Sequence, residues 1–288
     1  MTKATPVEAY ANGDKLIELI FSDVDGTLVN PEQQLTPRTI AAVEAASKAG
    51  VPLIIATGKA LGPWMSGVLD RLPLTMQRLH MQGNYIIDPK DGVIYNRQLS
   101  PDIFDDMLAF AKEHGLTFVA YHPGRVFCEQ TNKDTDRLVF YGEPTPESIG
   151  DWAKADLGRE FNKLLLMSDH PTIVRLRPQM EELLGQRAAL TSALPGMIEV
   201  LPPGSSKGAS IEWLLKRLGK TPDVCMAIGD GENDKEMLRY VGLGVAMGNA
   251  GPAAREAADV STGTDAEDGV AQAIEKYVLA PRGIKLSQ

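Results

Sequence analysis

The chain has 288 residues, 43% of them apolar and 23% charged, and a formal net charge of -9. That length suits one large domain or two smaller ones. The acidic balance disfavours nucleic acid and anionic membranes as partners, and no stretch approaches the ~18 apolar residues of a membrane span. The start "MTKATPVEAYANGDK" lacks the apolar run of a signal peptide and the tail "APRGIKLSQ" carries no lipidation signal. The expected location is therefore the cytoplasm, or an organelle lumen after removal of a targeting segment. Cys128 and Cys225 have no paired spacing and read as reduced structural thiols.

In chain order, "LIELIF" (16–21) predicts a strand buried on both faces and ending at Ser22-Asp23. "LTPRTIAAVEAASKAG" predicts a helix with Thr36 as cap, Pro37 in the first turn and Gly50 as stop. "VPLIIATGK" is a second apolar strand, so the unit is strand-helix-strand with parallel strands. "YIIDPKDGVIYNRQL" predicts a hairpin turning at Asp91-Gly92. From about residue 100 to 203 helices ("PDIFDDMLAFAKEHG", "RPQMEELLGQRAAL") mix with strands ("LTFVAYH", "NKLLLMS", "GMIEVL"), enough for an α+β domain of its own. Within it, "CEQTNKDTDR" reads as a polar surface or a specificity loop. Pro202-Pro203-Gly204 suits a hinge. A helix capped by Ser205 or Ser206, the strand "VCMAIGDG", and short strands at "GLGVAM" and "ADVST" then return to the first rhythm. The expected fold is α/β, a doubly wound Rossmann-like parallel sheet of residues 1–99 and 204–288 with residues 100–203 inserted.

Ligands of open α/β sheets bind beyond the carboxyl ends of the strands. Those ends carry Asp23 and Asp25, then Thr57 and Gly58, then Asp230 with Asn233 and Asp234 just after it, while Lys207 precedes a helix near the same edge. A pair of like charges 4 Å apart costs about 4 kcal/mol at an effective dielectric of 20. Several such pairs rival a total stability of ~5–15 kcal/mol. A hard divalent cation with oxygen ligands, Mg²⁺ above all, relieves that repulsion; protonating one carboxylate also helps. Such a site suits phosphoryl chemistry. One aspartate attacks phosphorus, its neighbour handles protons, and Thr57, adjacent backbone N–H groups and Lys207 hold phosphoryl oxygens.

"DVDGTL", "ATGK", "SSKGASIEWL" and "IGDGENDKEML", in that order, resemble the haloacid dehalogenase superfamily of phosphatases, specifically the Cof-type hydrolases. The inserted segment has the position and size of that family's large type-II α/β cap. The resemblance implies Asp23 as nucleophile and Asp25 as general acid/base. It implies Mg²⁺ held by Asp23, the Asp25 carbonyl and Asp230, with Asp234 orienting that shell, and phosphate held by Thr57, Gly58, Lys207 and Asn233. Two positions depart from many relatives: Gln82 stands in place of Asn, and Lys59 in place of Arg. Both are expected outside the chemistry, where substrate meets the core.

The function expected is a Mg²⁺-dependent phosphatase acting, as monomer or homodimer, on a small phosphorylated metabolite: a sugar phosphate, flavin mononucleotide or a flavin precursor, or pyridoxal phosphate. The alternatives are a phosphomutase of the phosphomannomutase type and a non-catalytic phosphate-ligand sensor. His80, His114, His122 and His170 have no metal-ligand spacing and read as structural, with His122 and Arg125 the two cap residues considered for a reach into the site. Trp64 and Met65 read as core packing or a substrate-facing wall.

Overall fold

Every residue of Leu19–Ser22 (β1) is buried, as a strand covered on both faces requires. Thirteen more strands follow among the described residues of the computed structural model, 6–286; the ends of the segments read above for signal and lipidation lie outside the described residues. They are β2 (Leu53–Ile55), β3 (Arg78–His80), β4 (Tyr85–Asp88), β5 (Gly92–Asn96), β6 (Thr117–His122), β7 (Arg125–Cys128), β8 (Glu147–Ser148), β9 (Lys163–Met167), β10 (Ala189–Thr191), β11 (Met197–Leu201), β12 (Cys225–Gly229), β13 (Leu243–Ala246) and β14 (Val260–Ser261).

Five strands form a parallel sheet in the order β14-β13-β12-β1-β2. The chain winds outward from β1 in one direction and returns at β12 on its other side, so the switch point lies between those two strands. The helix Pro37–Lys48 starts where expected, with Thr36 Oγ1 accepting from the Thr39 N–H at 3.1 Å. The helix Lys207–Leu218 is capped by Ser206, while Ser205 donates instead to Asn84 Oδ1. Strands β3, β4 and β5 form the hairpin sheet, and Asp88 Oδ1 accepts from the Lys90 and Asp91 N–H groups to make its turn.

Residues between 117 and 201 build a second sheet in the order β10-β11-β9-β6-β7-β8, antiparallel except for β7 with β8. Its side chains alternate. Phe118, Ala120, Leu164, Leu166 and Ile198 pack with the helices Pro101–His114 and His170–Leu184. Val119, Tyr121, Leu165, Met167 and Met197 face the other way and pack with Ala60 and Met81 of the first unit. Arg97 donates to the Pro203 C=O at 2.7 Å and to Ser205 Oγ at 3.2 Å, so the two chain crossings between the sheets lie side by side.

Three expectations change. The helix expected from Arg177 begins at His170, capped by Asp169, whose Oδ1 accepts from the Thr172 N–H at 2.8 Å. Pro178 therefore sits inside it, where its missing N–H takes the usual intrahelical donor from the carbonyl of exposed Val174. The same run ends at Leu184 before Gly185, and Ala189–Thr191 pairs with β11 as an edge strand rather than continuing the helix. The polar stretch after Cys128 is a helix, Lys133–Phe140, closed at its start by a reciprocal cap between Asn132 and Thr135. Among the described residues no helix is long and apolar enough to cross a membrane.

Candidate active site

β1 and β12 are neighbours with Ser22 paired to Ile228, so Asp23 and Asp230 leave the sheet side by side. Gly26 lets the chain turn there: its φ is +71°, and a Cβ would lie 2.6 Å from Asp230 Oδ2. Asp234 closes the group from a turn four residues after Asp230. Its Oδ2 accepts from the Asp230 and Gly231 N–H groups, each at 2.9 Å. Lys207 enters from the first turn of its helix, fully buried, with Nζ 2.7 Å from Asp23 Oδ1 and 2.6 Å from Asp234 Oδ1. Thr27 donates to Asp230 Oδ1 at 2.9 Å. Carboxylate oxygens of Asp23, Asp230 and Asp234 lie within 4.8 Å of one another.

Three carboxylates against one ammonium leave negative charge out of water. Burial pushes the Asp23 carboxyl well above its usual range, with Lys207 opposing and Asp234 and Asp230 adding to the rise. Burial, then the Asp234 charge, lifts Asp230 to about 7, although the Thr27 hydrogen bond and Lys207 pull it down. Burial disfavours the Lys207 charge, yet Asp23 and Asp234 outweigh it and hold the ammonium above an ordinary lysine. An all-oxygen, anionic pocket of this kind fits a hard divalent cation.

Thr57 is buried at the end of β2, its Oγ1 accepting from the Lys59 N–H at 3.1 Å. Gly58 has no room for a side chain, since a Cβ would lie 2.5 Å from Gln82 Nε2. Asn233 Nδ2 donates to Gln82 Oε1 at 3.2 Å, and Asn233 Oδ1 is buried without a partner. The Asp25 carboxylate stands apart from the other three and pairs with Lys59, whose Nζ lies 2.8 and 2.9 Å from its oxygens. That corrects the expectation for the two departures. Lys59 sits on the proposed acid/base, and Gln82 contacts a proposed phosphate holder.

The inward face of the second sheet covers these groups. Lys163 Nζ donates to the Gly58 C=O and to Glu199 Oε1, each at 2.7 Å. Glu143 accepts from the Ala60 N–H at 3.0 Å, and burial raises its carboxyl despite Lys163 and Lys59. Leu61 and Trp64 donate their N–H groups to the Pro123 and Gly142 carbonyls. Between the layers about 50 Å³ remains free, bounded by Asp23, Asp25, Lys59, Tyr121, Lys163 and Glu199 among others. That is room for a few waters.

His122 and Arg125 do not reach this cavity. His122 packs on Phe127 and Phe161, and Arg125 pairs with Glu147. Trp64 is core packing, with Nε1 donating to the Ala60 C=O at 2.8 Å. Both cysteines are buried and free. Lys163, Glu199 and Glu143 were not singled out from the sequence. For Lys163 and Glu199 the signal was a lone charge in each of the runs "NKLLLMS" and "GMIEVL", an alternation that puts Lys163 on the face of Leu165 and Met167, while Glu143 lies in neither run.

A family profile for haloacid dehalogenase-like hydrolases matches residues 20–274. The chain belongs to that family. It is a Cof-type haloacid dehalogenase phosphatase, and the inward-facing sheet is part of its large α/β cap. The 5-amino-6-(5-phospho-D-ribitylamino)uracil phosphatase YcsE of Bacillus subtilis is 31% identical over 263 residues, covering 91% of this chain and 96% of that protein. The chloroplastic endoribonuclease YBEY of Arabidopsis thaliana is 32% identical over 271 residues, covering 90% of this chain; the chain spans only 46% of that longer protein. Among solved structures, the subclass IIB sugar phosphatase BT4131 superposes with a TM-score of 0.76 at 26% identity, covering 90% of this chain and 98% of that one.

Proposed function

We propose that the protein hydrolyses a small phosphate monoester by way of an aspartyl phosphate on Asp23. The observation that carries this is the meeting of Asp23 and Asp230, from opposite ends of the chain, around Lys207. Lys207 on Oδ1 fixes the rotation of the Asp23 carboxylate for in-line attack. The new bond joins an Asp23 carboxylate oxygen to phosphorus as the ester P–O bond breaks, and Asp25 acts as general acid, passing a proton to the departing alkoxide. Water then attacks phosphorus, Asp25 takes its proton, and Asp23 and inorganic phosphate are released. Thr57, the Gly58 backbone, Asn233 and Lys207 hold phosphoryl oxygens.

Asp23 and Asp230 are the carboxylates to hold Mg²⁺, with the Asp25 carbonyl as the family resemblance implies. Both oxygens of Asp234 are engaged by Lys207 and backbone N–H groups, which suits it to bracing the shell. The metal supplies positive charge that neutralises the carboxylates and polarises the phosphoryl group.

Substrate reaches the cleft when the cap lifts, and residues 100–203 act as that cap. The relatives' names offer a ribitylamino-uracil phosphate, HMP-PP and a sugar phosphate as substrates to try. Tyr121, Leu138, Tyr141, Leu165, Leu194 and Met197 line this cavity. Such walls favour a leaving group with a flat ring over a bare polyol.

A panel of phosphorylated metabolites, assayed for released phosphate with and without magnesium, tests the proposal. Turnover is expected to need Mg²⁺ and to fall by a factor on the order of 10⁴ or more in Asp23→Asn. Full activity of that variant, or activity untouched by thorough chelation, overturns the mechanism.

A further inference from the structure

Gln82 occupies an unusual piece of backbone. Met81, Gln82 and Gly83 have successive φ values of +50°, +58° and +84°. Two non-glycine residues in a row in the left-handed region cost of order 1–3 kcal/mol each unless the surroundings hold them. The surroundings do: the Gln82 N–H donates to the Thr57 C=O at 2.9 Å, and its side chain, 1% exposed, bonds at both ends of the amide. Nε2 donates to Glu199 Oε2 on the cap, and Oε1 accepts from Asn233 Nδ2 on the core.

The direction of this chain of bonds is set from the cap. Glu199 receives Lys163 on its other oxygen, and a carboxylate only accepts. The Gln82 amide must therefore turn its NH₂ to Glu199 and its carbonyl to Asn233. Asn233 must in turn spend one Nδ2 hydrogen on Gln82, which leaves the second hydrogen of that NH₂ for the cavity. An asparagine at 82 would be one methylene shorter and would carry its amide less far toward Glu199. Lifting of the cap would remove Glu199 and with it the group that sets the direction of both amides.

We infer that Gln82 is a positioning residue that orients Asn233 through the cap residue Glu199, so that this phosphate holder is set only when the cap is closed. The inference rests on the reading of Asn233 as a phosphate holder, and deepens it by coupling that role to closure.

The test is a set of kinetic cycles on whichever ester of the panel turns over. Gln82→Met keeps length and bulk and removes both bonds; kcat/KM is expected to fall about tenfold. In an Asn233→Ala background the same substitution is expected to cost nothing further, because Gln82 acts through Asn233. A merely structural role predicts the same loss in both backgrounds, and that result overturns the inference. Should Gln82→Met fail to fold, Glu199→Gln makes the same comparison from the cap. Its amide can rotate, so a fall of several-fold is expected with Asn233 present and none without it. Hydrogen exchange on wild type and variant with orthovanadate provides a readout without turnover. Vanadate is expected to protect the amides of β9 and β11 in the wild type and to lose that effect in Gln82→Met. Equal protection in both rejects the relay while leaving the phosphatase proposal standing. Absence of turnover in the wild type rejects the phosphatase proposal, and the exchange result still decides the relay.

Discussion

Two buried charged clusters face each other across the cleft, and they are built differently. On the core side Lys207 pairs with Asp23 and Asp234, Asp230 lies beside them, and acid outnumbers base. On the cap side Glu199 meets Lys163 and Gln82, and Glu143 meets the Ala60 N–H. The first cluster leaves negative charge unmatched by the side chains around it. The second pairs Glu199 with Lys163 within its own sheet and meets the facing layer through Gln82, the Gly58 C=O and the Ala60 N–H. Carboxylates that outnumber their counter-ion with little hydrogen bonding from a facing layer point to a ligand, whereas charges met by groups of the facing layer point to a contact surface.

The difference has measurable size. Lys207→Met leaves Asp23 and Asp234 buried without their counter-ion, and unfolding by urea without metal is expected to show a loss of about 3–5 kcal/mol. A change below 1 kcal/mol would mean that the core cluster is neutral already. Next comes pH. In the metal-free chain the Asp230 carboxyl titrates near 7 rather than at its ordinary lower value. A raised acid binds its proton more tightly folded than unfolded, so its contribution is full below about pH 4 and is lost as pH rises through 7. Magnesium favours the ionised form, so thermal melts should show a larger Mg²⁺-induced rise in Tm at pH 8 than at pH 5. Equal rises would dissociate Asp230 from the metal. The smallest effect belongs to the cap. Lys163→Met leaves Glu199 with its Gln82 bond and access to the cleft, so a stability loss of about 1–3 kcal/mol is expected. A loss matching that of Lys207→Met would make the two clusters alike.

The core side was largely legible because its signals are local. An apolar run ending in Asp23, a cap before Lys207 and an Asp-Gly after β12 each mark a strand end or helix start. The strand-end rule for parallel sheets then brings Asp23 and Asp230 together without further information. The cap side was not legible. That Lys163 and Glu199 meet depends on β9 lying between β6 and β11 in a particular register, with Glu199 opposite Leu165. Antiparallel pairings between strands some 30 residues apart leave no local mark. Lys59 is a related case: its place on Asp25 depends on how the loops that follow β1 and β2 meet. The early start of the helix His170–Leu184 was hidden by Pro178, which reads locally as a first-turn proline.

The bonds of Arg97 to Pro203 and Ser205 fasten the outgoing and returning strands of the cap into one pivot. Two separate ribbons would give the segment between them many ways to shift against the first sheet, and tying them together removes most of these. Any movement of Glu199 away from Gln82 would then turn about a guanidinium that lies outside the candidate site.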